Sequence, residues 1–147
     1  MKTIALRFGE HFSPKCGTIA AHQEIINRLG YVWYGKMGTP VAAHIIEELN
    51  ECTNAKILLI SSGKAERYWA HIEKASRELP PMDAIPEYYR DTAGTFKTWF
   101  KVTQFEVAPR DIMSKCFVAS SKNSLSEVSR HSMSPYFIIE YQGMEVE

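Results

Sequence analysis

The run Lys56-Ile-Leu-Leu-Ile-Ser61 constrains the architecture more than any other stretch of the chain. Six residues are too few for a helix, and no polar side chain interrupts the apolar centre. Such a run is suited to a strand with both faces buried, near the middle of a sheet. Polar residues follow through Ala65, and Arg67-Tyr-Trp-Ala-His-Ile72 then has the pattern of a hairpin partner. A third strand is expected over Trp99–Val107, stopping before Pro109. In it Trp99, Lys101, Thr103 and Phe105 fall on one side, with Phe100, Val102, Gln104 and Glu106 on the other.

Around these strands the remaining elements are punctuated by glycine and proline. Thr3–Phe8 alternates apolar and polar residues, as a half-buried edge or barrel strand does. Pro14 and Gly17 mark a loop. Thr18–Leu29 reads as a helix with Ile19, Ile26 and Leu29 on one face and Ala20, Ala21 and Ile25 beside it. Gly30 is placed to cap its C-terminus in the left-handed conformation. Tyr31–Tyr34 is a short aromatic strand, and Gly35–Gly38 a turn. Thr39 and Pro40 open a second helix as cap and first helical residue, with Val41, Ile45, Ile46 and Leu49 as its apolar stripe. Leu79–Ala93 contains Pro80, Pro81 and Pro86 and cannot be one regular element. Ser124-Leu-Ser-Glu127 has the form of a capping box before a short helix to about His131. Tyr136–Tyr141 is the last strand, with 143–147 as a tail. The expected fold is α+β: one domain over residues 1–147, a compact mixed β-barrel of about six strands with two or three flanking helices.

Composition bounds the function. At 147 residues the chain suits a single domain with a real core. Seventeen basic and seventeen acidic residues cancel, so overall charge gives no support to non-specific binding of a phosphate backbone. Three widely spaced cysteines, Cys16, Cys52 and Cys116, argue against a disulfide framework and fit a reducing cytoplasm. The start Met1-Lys-Thr-Ile4 does not resemble a secretory leader, and no apolar run approaches the ~20 residues that span a bilayer.

Catalytic and metal-binding signatures are weak. Ser61-Ser-Gly-Lys64 hints at a phosphate loop, but Leu58 stands where the first glycine is needed and Ala65 where Ser or Thr is. His11, Cys16 and His22 have no compact zinc-ligand spacing and lack a fourth ligand. His44 and His71 fall on a helix and a strand, with no cysteine or serine selected as partner. No metal or cofactor is expected.

Aromatic residues, 12% of the chain, gather near strand ends: Trp33 and Tyr34, Tyr68 and Trp69, Trp99, with Tyr88 and Tyr89 in the proline-rich segment. Flat rings either fill a small core or stack on nucleobases, each stack worth roughly 1–3 kcal/mol. Methylated groups are the other common guest of aromatic cages.

The order of these segments resembles the PUA-like superfamily, and within it the EVE, YTH and ASCH domains. The resemblance spans most of the chain. It runs from the opening strand and helix to Tyr31-Val-Trp-Tyr-Gly-Lys36, then to Lys56–Ser61 and Arg67-Tyr-Trp-Ala-His-Ile72. Trp99-Phe-Lys-Val-Thr-Gln-Phe105 follows, ahead of Pro109, and the polar Ser120-Ser-Lys-Asn-Ser124 precedes the short helix and closing strand. It implies a non-enzymatic domain that holds a modified base of RNA or DNA, or a nucleotide, in an aromatic-lined pocket. Trp33, Tyr34 and Trp99 would be pocket aromatics, with Trp69 a further candidate. Ser61, Ser62 and Asn123 would read the base edge. Lys36, with Lys64, Lys101 and Lys122, would touch phosphates. A small ASCH-like hydrolase acting on modified nucleosides or RNA is the alternative, with Lys36 near Thr39 and Glu106 as its reactive group. A protein-interaction module is a third reading.

Overall fold

The computed structural model describes residues 2–8, 17–36, 38–61, 66–132 and 134–141, with Ser61 described by its backbone alone. Among them are seven strands: β1 (Lys2–Phe8), β2 (Val32–Lys36), β3 (Lys56–Ser61), β4 (Arg67–Ser76), β5 (Thr98–Val107), β6 (Cys116–Val118) and β7 (Tyr136–Tyr141). The helices are α1 (Thr18–Leu29), α2 (Ala43–Glu51), α3 (Ile112–Lys115) and α4 (Leu125–His131), and three short 3-10 turns lie between β4 and β5. The strands hydrogen-bond in the order β2-β5-β4-β3-β1-β7-β6. Among the described residues the strands make an open mixed sheet that ends at β2 and β6, where a closed barrel was expected.

Residues 2–8, 57–69 and 107–141 make one compact unit, and 17–56 with 70–106 the other. In the first, β3 lies between two neighbours, and Ile57, Leu58, Leu59 and Ile60 are all buried, as a continuous apolar run requires. β1 runs parallel to β3, with Ala5 opposite Leu58, and antiparallel to β7, with Ile4 opposite Ile138. It is an interior strand, and Thr3, Ile4, Ala5 and Leu6 are buried together. The expected alternation is lost because Thr3 is small enough to enter the core. Trp69, Ile112, Cys116, Leu125, Phe137, Ile139 and Tyr141 pack with Ala5 and Leu58. The Arg7 guanidinium gathers the carbonyls of Ser129, Ser132 and Ser134 at 2.9, 2.7 and 3.0 Å, around the C-terminal end of α4. The Ser129 carbonyl is among the acceptors that a helix end leaves unpaired, and those of Ser132 and Ser134 follow it in the chain leaving α4. The Ser124 hydroxyl accepts from the Glu127 amide at 3.2 Å, as the capping-box spacing predicted.

In the second unit α1 has the expected bounds, and Gly30 ends it at φ 89 with its amide on the Ile26 carbonyl. The buried face is not the expected apolar one. Thr18, His22 and Ile25 point inward, whereas Leu29 is exposed. α2 begins at Ala43 rather than at Thr39-Pro40, with Ala42 as an uncapped N-cap. The segment before it is tied down instead: Lys36 Nζ donates to the Thr39 carbonyl, and the Val41 amide to Thr98 Oγ1 at 3.0 Å. At the other end of α2 the Asn50 amide pairs with both backbone groups of Ala75, at 2.7 and 3.0 Å.

Candidate functional site

The second unit carries an aromatic cluster built from four separate segments. β2 and β5 supply the floor, in antiparallel register: Trp33 faces Lys101, Tyr34 faces Phe100, Gly35 faces Trp99 and Lys36 faces Thr98. Gly35 and Lys36, expected in a turn, are the last two residues of β2. The proline-rich segment supplies Tyr88 and Tyr89. Pro86 starts a 3-10 turn over Glu87–Tyr89, and the Tyr89 amide returns to the Pro86 carbonyl at 3.0 Å. Ile85, Tyr89, Ala93, Phe96 and Trp99 then form a buried cluster with Trp33 and Tyr88, both half-buried, against it.

Gly35 makes this packing physically accessible. A Cβ built there would lie 2.6 Å from Phe96 Cδ2 and 2.9 Å from Trp99 Cζ3, so only a bare Cα lets both rings reach the strand. β2 is an edge strand, and the Gly35 backbone hydrogen-bonds the Tyr89 hydroxyl. Burial, with Tyr34 and Tyr88 close by, pushes the Tyr89 phenol well above the usual tyrosine range. Tyr89 meets Phe96 at 4.8 Å and Trp99 at 6.1 Å between ring centroids, both edge to face.

α1 delivers His22 to the same place. Its ring lies 5.0 Å from Tyr34, 5.1 Å from Tyr89, 6.2 Å from Phe105 and 6.5 Å from Tyr88. His22 is 0% exposed, and burial lowers its pKa to about 4 despite the hydrogen bond of Nδ1 to the Thr18 carbonyl at 2.8 Å. Two polar atoms in this cluster, His22 Nε2 and Trp99 Nε1, are buried with no hydrogen-bond partner among the described residues. Native structures rarely leave such atoms unsatisfied.

A family model described as Pua-like matches residues 4–140. The chain belongs to the Pua-like family. No curated protein and no solved structure matches it significantly.

Of the eight residues singled out in this Pua-like sequence, four fall in the unit with the cluster: Trp33, Tyr34, Lys36 and Trp99. Trp33 is the half-buried member. Trp99, at 0% exposure, lies under the cluster and presents no free face. Lys36 is buried, and desolvation lowers its pKa; its Nζ is engaged by a backbone carbonyl. Trp69, Ser61 and Asn123 fall in the other unit. There Trp69 is 1% exposed and tilted against Tyr141 at 5.0 Å, Asn123 is exposed, and Ser62 lies outside the described residues, as do Lys64, His11 and Cys16. Lys101 is 3.3 Å from Glu73 and covers the Tyr31 ring, and Lys122 is 3.0 Å from Glu140. Glu106, the acid imagined beside Lys36, pairs with His71 at 2.7 Å. The described residues hold no group of three or more metal-ligating side chains, and no helix among them is long and apolar enough to cross a membrane.

His22, weighed in the sequence only as a zinc ligand beside His11 and Cys16, is the residue whose place in the cluster was missed. The available signal was its spacing from Thr18 and Ile25, which puts all three on one helix face.

Proposed function

We propose that this Pua-like protein recognises a modified nucleobase of RNA or DNA in the aromatic cluster of its second unit. The observation that carries the reading is the pair of unsatisfied buried nitrogens, His22 Nε2 and Trp99 Nε1, among rings that suit a flat heterocycle. Trp99 Nε1 can only donate, and a base carbonyl or ring nitrogen can accept from it. Trp33 and Tyr88, both half-buried, are the cluster rings with surface free to stack on an entering base, which reaches the two buried nitrogens by parting the rings that cover them. This revises the earlier assignment: Trp99 contributes its N–H and not its face. The neutral overall charge favours base contacts over backbone contacts as the source of affinity.

The test is tryptophan quenching and thermal shift with modified and unmodified nucleosides and short oligonucleotides at two salt concentrations. The expected result is selective binding that changes little with salt and is weakened about tenfold or more by Trp33→Ala. Unchanged affinity in Trp33→Ala and Tyr88→Ala proteins would overturn the reading.

One observation favours the hydrolase alternative: Lys36 is a buried lysine with a lowered pKa, the kind of group that serves as a base. Conversion of a nucleoside by the wild-type protein, lost in Lys36→Met, would establish it. Recovery of every nucleoside unchanged would dismiss it.

A further inference from the structure

The protonation pattern of His22 says what the bound base must bring. The Thr18 carbonyl can only accept, so the 2.8 Å contact places a proton on Nδ1. Imidazole in its neutral form has one N–H, and Nε2 is then a bare lone pair. A second proton would create a cation at a site with no access to water. The rings around it, Tyr34, Tyr88, Tyr89 and Phe105, are uncharged and offer no counter-ion. The low pKa of His22 agrees with this geometry. Nε2 is therefore an acceptor without a donor among the described residues.

We propose that His22 Nε2 accepts a hydrogen bond from an N–H of the bound base, so the site admits neutral bases that keep a donor at that edge and rejects those whose donor is replaced by alkyl groups. This rests on the base-recognition reading and narrows its substrate class. It separates the cluster from the other common use of aromatic cages, capture of quaternary ammonium groups, which carry no N–H and are met by ring faces alone. Alkylation that leaves one N–H, as in a singly methylated exocyclic amine, is compatible with His22. Alkylation that removes the last one is not.

The experiment pairs each nucleoside with its fully masked form: adenosine and N6-methyladenosine against N6,N6-dimethyladenosine, cytidine and N4-methylcytidine against N4,N4-dimethylcytidine, uridine against 3-methyluridine, and guanosine against its N1,N2,N2-trimethyl form. Affinities are read by tryptophan quenching for wild type, His22→Gln and His22→Phe. In wild type the masked form of the preferred base is expected to bind about tenfold weaker or worse, the loss of one well-made hydrogen bond from a buried site. Glutamine retains an acceptor, so the discrimination survives in His22→Gln and collapses in His22→Phe. Nitrogen-15 NMR of the wild-type protein should show the His22 proton on Nδ1 and none on Nε2. A masked form that binds wild type as tightly as its parent, or a protonated Nε2, would overturn the role of His22 while leaving base recognition standing. No binding by any nucleoside or by short RNA and DNA would overturn base recognition and this inference with it.

Discussion

Lowering the pH should destabilise the protein through His22 in a window that the structure defines. The unfolded chain has an ordinary histidine pKa of about 6.5, whereas burial holds the folded value near 4. Between these values the unfolded chain binds a proton that the folded chain refuses. Stability from the neutral buried ring is thus complete above about pH 6.5 and is lost as the pH falls toward 4, below which the loss stops. At ~1.4 kcal/mol per pH unit, the full window is worth roughly 3 kcal/mol, most of it gone by about pH 4.5. That is a large share of the ~5–15 kcal/mol that holds a typical domain together. The assay is urea unfolding, followed by tryptophan fluorescence, at about pH 7 and about pH 4.5, for wild type and His22→Gln. Carboxylates weaken both proteins alike over this range, so the difference between the two losses isolates the histidine. Wild type should lose roughly 2–3 kcal/mol more than the variant. Equal losses would refute the premise that His22 is held neutral in the folded protein.

Other perturbations test the scaffold. Gly35→Ala should cost about 1–3 kcal/mol in thermal unfolding, since its methyl group collides with Phe96 and Trp99, and should disturb the tryptophan emission spectrum. Arg7→Ala should cost about 2–3 kcal/mol by leaving the carbonyls beyond α4 unpaired, and hydrogen exchange should rise first in residues 125–135. Arg7→Lys should recover only part of this, because one ammonium cannot reproduce the guanidinium fork. Asn50→Ala should cost about 1–2 kcal/mol by removing both partners of Ala75 at the end of β4, measured by urea unfolding.

How far residue patterns foretold this arrangement depended on which force set each element. The run at Lys56–Ser61 and the Gly30 cap were legible because local pattern and tertiary role agree there. The capping box at Ser124 was legible for the same reason. The inward face of α1 was not, because hydrophobicity points to Ile26 and Leu29 while the fold buries Thr18 and His22. A polar side chain can take a core position when a backbone group meets it, as the Thr18 carbonyl meets His22 Nδ1, and no periodicity reports that. Gly35 and Lys36 suggested a turn since glycine commonly makes one, yet this glycine is in a strand to admit two distant rings. β6, three residues long, carries too little pattern to be seen alone and is specified by its pairing with β7. Closure of the sheet was likewise beyond reach, because no local signal states which strand is an edge. Of the candidate cluster, Trp33 and Tyr34 were legible as aromatics of the second strand, though β2 runs past them to Lys36; the two orphaned nitrogens required coordinates.

The pairing of β1 has a consequence for the order in which the molecule can be assembled. Among the described strands β1 is synthesised before the others, but its neighbours are β3, some fifty residues later, and β7, which follows the rest. Contacts of such long sequence separation close large loops and slow the search for the native state. Until β7 is synthesised, Ile4, Ala5 and Leu6 belong to a strand with one hydrogen-bonding side open. A nascent chain that stalls before Tyr136 therefore exposes an apolar strand edge, the kind of surface that chaperones hold and that otherwise aggregates.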